Sequence, residues 1–143
     1  MNFKRFGEKF VIRIDKDEKI AETLTKICIE NEIHLGMISG IGAVSKAKIG
    51  LFKPEEKKYF STELSGDYEI TSLNGNISTM NGKVYLHLHI NLADEEHKVF
   101  GGHLNEAVVS ATCEVMIEKI EGSIEREFDK ETGLNLLKNI MEK

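Results

Sequence analysis

Apolar and polar residues alternate from Lys9 to Asp15 (KFVIRID), with Phe10, Ile12 and Ile14 on one side and Val11, Arg13 and Asp15 on the other. A period of two predicts a half-buried strand. Asp15 or Asp17 then stands where a helix cap is wanted. Ile20, Leu24, Ile27 and Cys28 recur at helical spacing as far as Glu30, and Asn31 supplies a stop. Ile33 to Gly42 is apolar and punctuated by glycine, which suits a buried strand and turn. Ala47 to Phe52 reads as another strand, and Glu55 to Lys58 as a charged loop or hairpin tip.

Further along, Glu69 to Ser78 has strand residues around Asn74-Gly75, a turn or bulge signal. Asn81-Gly82 predicts a hairpin turn into a strand from Lys83 to Leu92. In that strand Leu86, Leu88 and Ile90 share one face, and Tyr85, His87, His89 and Asn91 the other. Ala93 to Lys98 is a polar turn, after which Val99-Phe100 resumes an extended path. Val108 to Ile120 predicts a long strand with Val109, Ala111, Cys113, Val115 and Ile117 on its apolar face. From Phe128 to Lys143, Leu134, Leu137, Ile140 and Met141 fit either a short strand or a final helix. Strands dominate and one helix is clear. The expected class is α+β: one domain over residues 1–143, with a mixed, mostly antiparallel sheet and one α-helix packed on it.

Composition narrows the function. The chain has 143 residues, 41% hydrophobic and 30% charged, the balance of a soluble globular domain. No apolar run reaches the length of a membrane span. The N-terminus turns charged at Glu8 and Lys9 before an apolar core could form, so it does not read as a secretory signal and the expected compartment is the cytoplasm. Cys28 and Cys113 have no nearby cysteine partner and are expected as reduced, buried thiols. A net charge of −5 argues against gripping phosphate backbones. The basic cluster Lys46, Lys48, Lys53, Lys57 and Lys58 surrounds Pro54 in an apparent loop and reads as a solvated face.

Three of the five histidines fall in one short region: His87 and His89 within the predicted strand, and His103 after Gly101-Gly102. Residues two apart on a strand point to one side. A glycine pair lets the returning segment turn or approach closely. Three imidazoles meeting at one ion leave a fourth position for water or a ligand, zinc being the first candidate and another divalent transition metal the alternative. The competing reading is a solvent-facing strand edge, with His103 capping a turn. Catalysis at such a site needs a nearby acid or base, for which Glu106, Glu69 and Glu114 are the candidates against a surface role. Tyr85 shares the histidine face. His97 reads as exposed, and His34 as a charge partner at the helix end. Gly40-Ile41-Gly42 lacks the third glycine of a dinucleotide fingerprint.

Several segments in order carry a family resemblance: Ile38-Ser39-Gly40-Ile41-Gly42-Ala43; Tyr68-Glu69-Ile70 with Ser72 to Ile77; His87-Leu88-His89; Val99-Phe100-Gly101-Gly102-His103-Leu104; Thr112-Cys113-Glu114-Val115; and Arg126-Glu127-Phe128-Asp129 with Thr132-Gly133-Leu134. Together they resemble the plants-and-prokaryotes conserved (PPC) domain in its stand-alone prokaryotic form. The resemblance implies a sheet domain that assembles as a homotrimer. In plants the domain accompanies AT-hooks in DNA-binding proteins. This chain has no Arg-Gly-Arg-Pro hook, and Pro54 is its only proline. The segment Gly66 to Ile70 corresponds to the plant partner-binding motif but departs from it at Asp67 and Tyr68. The fold is also similar to that of acetolactate decarboxylase, in which an HxH pair and a later histidine hold zinc, a pattern that His87, His89 and His103 match. Three readings follow: a metal-dependent binding or regulatory module, a metal-assisted hydrolase or lyase on a small molecule, and a DNA-associated regulator.

Overall fold

The computed structural model describes residues 2–141. Its elements are β1 (Asn2–Phe6), β2 (Lys9–Asp15), α1 (Ile20–Glu30), β3 (Gly36–Lys53), β4 (Lys58–Met80), β5 (Lys83–Ala93), β6 (Val99–Lys119), β7 (Arg126–Asp129) and β8 (Leu134–Leu137). The alternation at Lys9–Asp15 produces its strand at the expected bounds, with Phe10, Ile12 and Ile14 buried. The preceding β1, which pairs antiparallel with it, has all five residues exposed and no burial pattern to announce it.

The main sheet runs β1-β2-β6-β3-β4-β5, and β6 also pairs with β5. All pairings between its strands are antiparallel, so the mixed sheet expected from the sequence is not found there. The closure depends on length. At 21 residues, β6 lays Val99 to His103 against β5 and His103 to Lys119 against β3. Strands β6, β3, β4 and β5 therefore form a ring around a core that includes Val44, Leu73, Leu88, Ile90, Leu92 and Val109. Ile20, Leu24, Ile27 and Cys28 of α1 belong to the same buried cluster.

Several local expectations are corrected. The stretches read separately at Ile33–Gly42 and Ala47–Phe52 merge into β3, which absorbs its glycines at register shifts near Gly42 and Val44. Asn74-Gly75 makes no turn: both residues pair within β4, opposite His89 and Leu88. The bulge lies instead between Ile70 and Ser72. Ala111 is exposed because β6 changes register against β3 between its pairings at Val109 and Cys113. The basic cluster is mostly on strands: Lys46, Lys48 and Lys53 on β3 and Lys58 on β4, with only Lys57 in the turn. Of the two readings left open for the C-terminal segment the strand holds, in the β7–β8 hairpin, and residues 142 and 143 lie outside the described residues. Asn81-Gly82 does form a two-residue turn between paired Met80 and Lys83, with φ of 51° and 72°. Two positive φ values are the type I′ signature.

Neither Asp15 nor Asp17 caps α1. Asp15 ends β2, Asp17 has φ 68°, and the N-cap Lys19 offers no side-chain bond. The cap comes from Glu106 on β6, whose carboxylate accepts from the amides of Ala21 at 2.8 Å and Glu22 at 3.2 Å. The two cysteines are free and buried. Burial pushes both thiols up to about 12, which leaves them without nucleophilic thiolate at neutral pH.

Candidate metal centre

The site grows from the alternation of β5. Leu88 and Ile90 anchor one face in the core, so His87 and His89 must project from the other. The return of β6 sets His103 directly opposite His89. His103 also pairs with Gly50 of β3, so three strands converge there. This crowding explains the glycine beside it: a Cβ on Gly102 would stand 2.6 Å from the Gly50 carbonyl oxygen.

The three rings surround a common point. Their centroids are 5.0 Å apart for His87–His89, 5.4 Å for His87–His103 and 5.7 Å for His89–His103. One ring nitrogen from each lies within 4.8 Å of the others. On a tetrahedral ion with bonds of about 2.0–2.1 Å, ligand nitrogens stand about 3.3 Å apart. Small side-chain rotations close that difference, so the donor set fits a divalent transition metal. Burial first, then the Arg126 guanidinium and the other two histidines, push His87 down to about 4. Burial and His89 lower His103 as well. These effects favour the neutral form of His87 and His103, the form whose lone pair binds a metal.

Other polar groups frame the histidines. The Tyr59 ring meets His103 edge-on at 5.9 Å, and its hydroxyl donates to Asn105 Oδ1. Burial raises the Tyr59 hydroxyl above its ordinary value. Asn76 lies opposite His87, and Asn74 opposite His89. Arg126 reaches from β7 to donate to Asn76 Oδ1 at 2.9 Å. Sequence reading assigned no role at the site to Tyr59, Asn105, Asn76 or Arg126. The register that brings them to the histidines comes from segments distant in sequence, so no local signal announced them.

The carboxylate candidates are elsewhere. Glu106 is engaged by the first turn of α1. Glu69 and Glu114 line a different cavity, of about 450 Å³, with Ile41 and Thr112, and none of the three histidines borders it. Tyr85 lies on the histidine side under the Arg126 guanidinium, 4.9 Å from its ring centre. His97 is exposed in the turn after β5 with φ 64°, and His34 is exposed beyond α1.

Solved structures with this fold extend the picture. A candidate DNA-binding protein from Bacteroides thetaiotaomicron superposes with a TM-score of 0.93 at 34% identity, covering 95% of each chain. The metal-containing protein AF0104 from Archaeoglobus fulgidus gives 0.88 at 37% identity over 97% of this chain and 99% of its own. A plant- and prokaryote-conserved protein from Pyrococcus horikoshii gives 0.86 at 34% identity, over 98% of this chain and 95% of its own. Acetolactate decarboxylase from Bacillus subtilis shares the fold at a TM-score of 0.56 and 22% identity, covering 81% of this chain and 54% of its own. No curated protein matches the sequence. Residues 1–121 match the Plants and Prokaryotes Conserved (PCC) domain, and with His87, His89 and His103 inside that span the chain belongs to this family.

Proposed function

We propose that this protein is a metal-dependent binding or regulatory module, in which His87, His89 and His103 hold a divalent transition metal, zinc first, and assembles as a homotrimer. One observation carries the reading: three ring nitrogens from two strands within 4.8 Å of one another. The metal-containing relative, 37% identical over nearly the whole chain, supports it. With three protein ligands the ion keeps a position for a small molecule, whose oxygen it would polarise as a Lewis acid. The trimer is supported by the outer face of the sheet. Val11, Met116 and Met37 are exposed there, in the same cross-strand rows as the histidines. Association would take that apolar surface out of water. Two free, buried thiols suit a role in the reducing cytoplasm. Among the described residues no helix is long and apolar enough to cross a membrane.

The test is metal analysis of purified protein beside His87→Ala, with the oligomer measured in the same samples. Wild type should carry one ion per chain and the variant almost none. Equal metal in both would overturn the assignment. Resemblance to a candidate DNA-binding protein favours a second reading, association with DNA. The net charge of −5 weighs against it, and part of the basic cluster is occupied: Lys53 pairs with Glu56 at 3.2 Å, and Lys57 donates to the Lys130 carbonyl. A DNA-binding chain would shift a duplex at low salt and release it steeply as salt rises. Absence of any shift at low salt removes this reading.

A further inference from the structure

Arg126 opens β7 and is only 7% exposed. A buried guanidinium ordinarily faces a carboxylate, because an unpaired charge is costly to take out of water. Among the described residues all of its partners are neutral. Nε donates to Ser78 Oγ at 2.7 Å, one terminal nitrogen to the Asn135 carbonyl at 2.8 Å, and the other to Asn76 Oδ1 at 2.9 Å. The Tyr85 ring covers one side of the plane. The acids on either side of it in sequence are turned away. Glu125 accepts from Thr79 Oγ1 at 2.6 Å and from the Gly82 amide at 3.2 Å, and Glu127 pairs with Lys138 at 3.0 Å.

The position of this charge ties it to the histidines. Asn76, which holds one terminal nitrogen, is the cross-strand neighbour of His87. Tyr85, which stacks on the guanidinium, precedes His87 by two residues on the same strand face. A guanidinium has five N–H donors, so each terminal nitrogen keeps a second one beyond the bonds just named. Arg126 lies beyond residues 1–121, at the start of the C-terminal hairpin.

The geometry points to Arg126 as the residue that selects the ligand of the three-histidine site: a small carboxylate with a neighbouring hydroxyl or carbonyl oxygen. The guanidinium fork matches both carboxylate oxygens, which leaves the adjacent oxygen for the ion. Such a ligand brings the negative charge that the buried arginine lacks. This inference rests on the metal reading above.

Cobalt(II)-loaded protein tests it, because the visible absorption of cobalt reports the ligands of the ion. Lactate is titrated against lactamide, which has nearly the same shape but no charge. Lactate should bind about tenfold more tightly or better, the difference expected of one charge-assisted pair. Arg126→Gln should weaken lactate by about tenfold while cobalt content stays at the wild-type level, with Arg126→Lys in between because it keeps the charge without the fork. Equal affinity for lactate and lactamide in wild type overturns the inference without any variant having to fold. Inorganic phosphate binding more tightly than lactate overturns the carboxylate class. Loaded protein whose lactate affinity ignores both substitutions overturns the role of Arg126 alone. Protein that takes up no cobalt overturns the metal reading, and this inference with it.

Discussion

Replacing Glu106 separates a structural carboxylate from a catalytic one. Its side chain reaches across from β6 and accepts from the Ala21 and Glu22 amides at 2.8 and 3.2 Å. These are orphan donors of the first helical turn, and the N-cap Lys19 does nothing for them. A side-chain cap contributes about 1 kcal/mol, and a negative charge at a helix N-terminus about 0.3–1 kcal/mol more. Removing both leaves two amides with no acceptor beside the half-buried cap. Glu106→Ala should therefore cost about 2 kcal/mol, and Glu106→Gln, which keeps an acceptor, about 1 kcal/mol. With a urea slope of about 2 kcal/mol per molar, the alanine variant should unfold about 1 M earlier. The measurement belongs in chelator at one fixed protein concentration, since bound metal and association both raise apparent stability. Metal uptake by the folded variant should match wild type. A variant as stable as wild type, or one that folds normally and loses its metal, would refute the capping argument.

Other outcomes follow from the same geometry. Gly102→Ala would place a methyl 2.6 Å from the Gly50 carbonyl oxygen, so thermal unfolding should show a loss of about 1–3 kcal/mol together with weaker metal uptake. Gly82→Ala, at φ 72° in the β4–β5 turn, should lose about 1 kcal/mol and leave metal content unchanged; a site that empties in this variant would contradict the local reading. In metal-free protein, His87 stands at about 4 when folded against 6.5 ordinarily, so the unfolded chain takes up that proton first. Its contribution to stability is complete above pH 6.5 and is lost as pH falls toward about 4. Urea midpoints measured on either side of that window should fall on the acid side, and His87→Gln should flatten the dependence.

How much of this was legible varied with the range of the interaction. The strand at Lys9–Asp15, the turn at Asn81-Gly82 and the two faces of β5 could be read because a period of two and a pair of left-handed residues are local properties. The histidine pair at 87 and 89 had to share a face for the same reason. The helix core could be read from its spacing, but its cap could not, because Glu106 arrives from a strand 85 residues away from Ala21. β1 was not legible because it shows no alternation, and Asn74-Gly75 was misleading because a turn dipeptide also fits inside a long, crowded strand.

The amino-acid sequence by itself determined the family, the run of strands and the candidate ligands, all of which reside in neighbouring residues and their order. The tertiary structure alone decided that β6 closes the ring by pairing with both β5 and β3, which puts His103 against His89 and sends Glu106 to a helix end. It also decided that Arg126 bonds Asn76, the cross-strand neighbour of His87, with no acid among the described residues to meet it. The physical reason is that register between distant strands is fixed by burying both apolar faces at once, a condition on the whole chain that no local window contains.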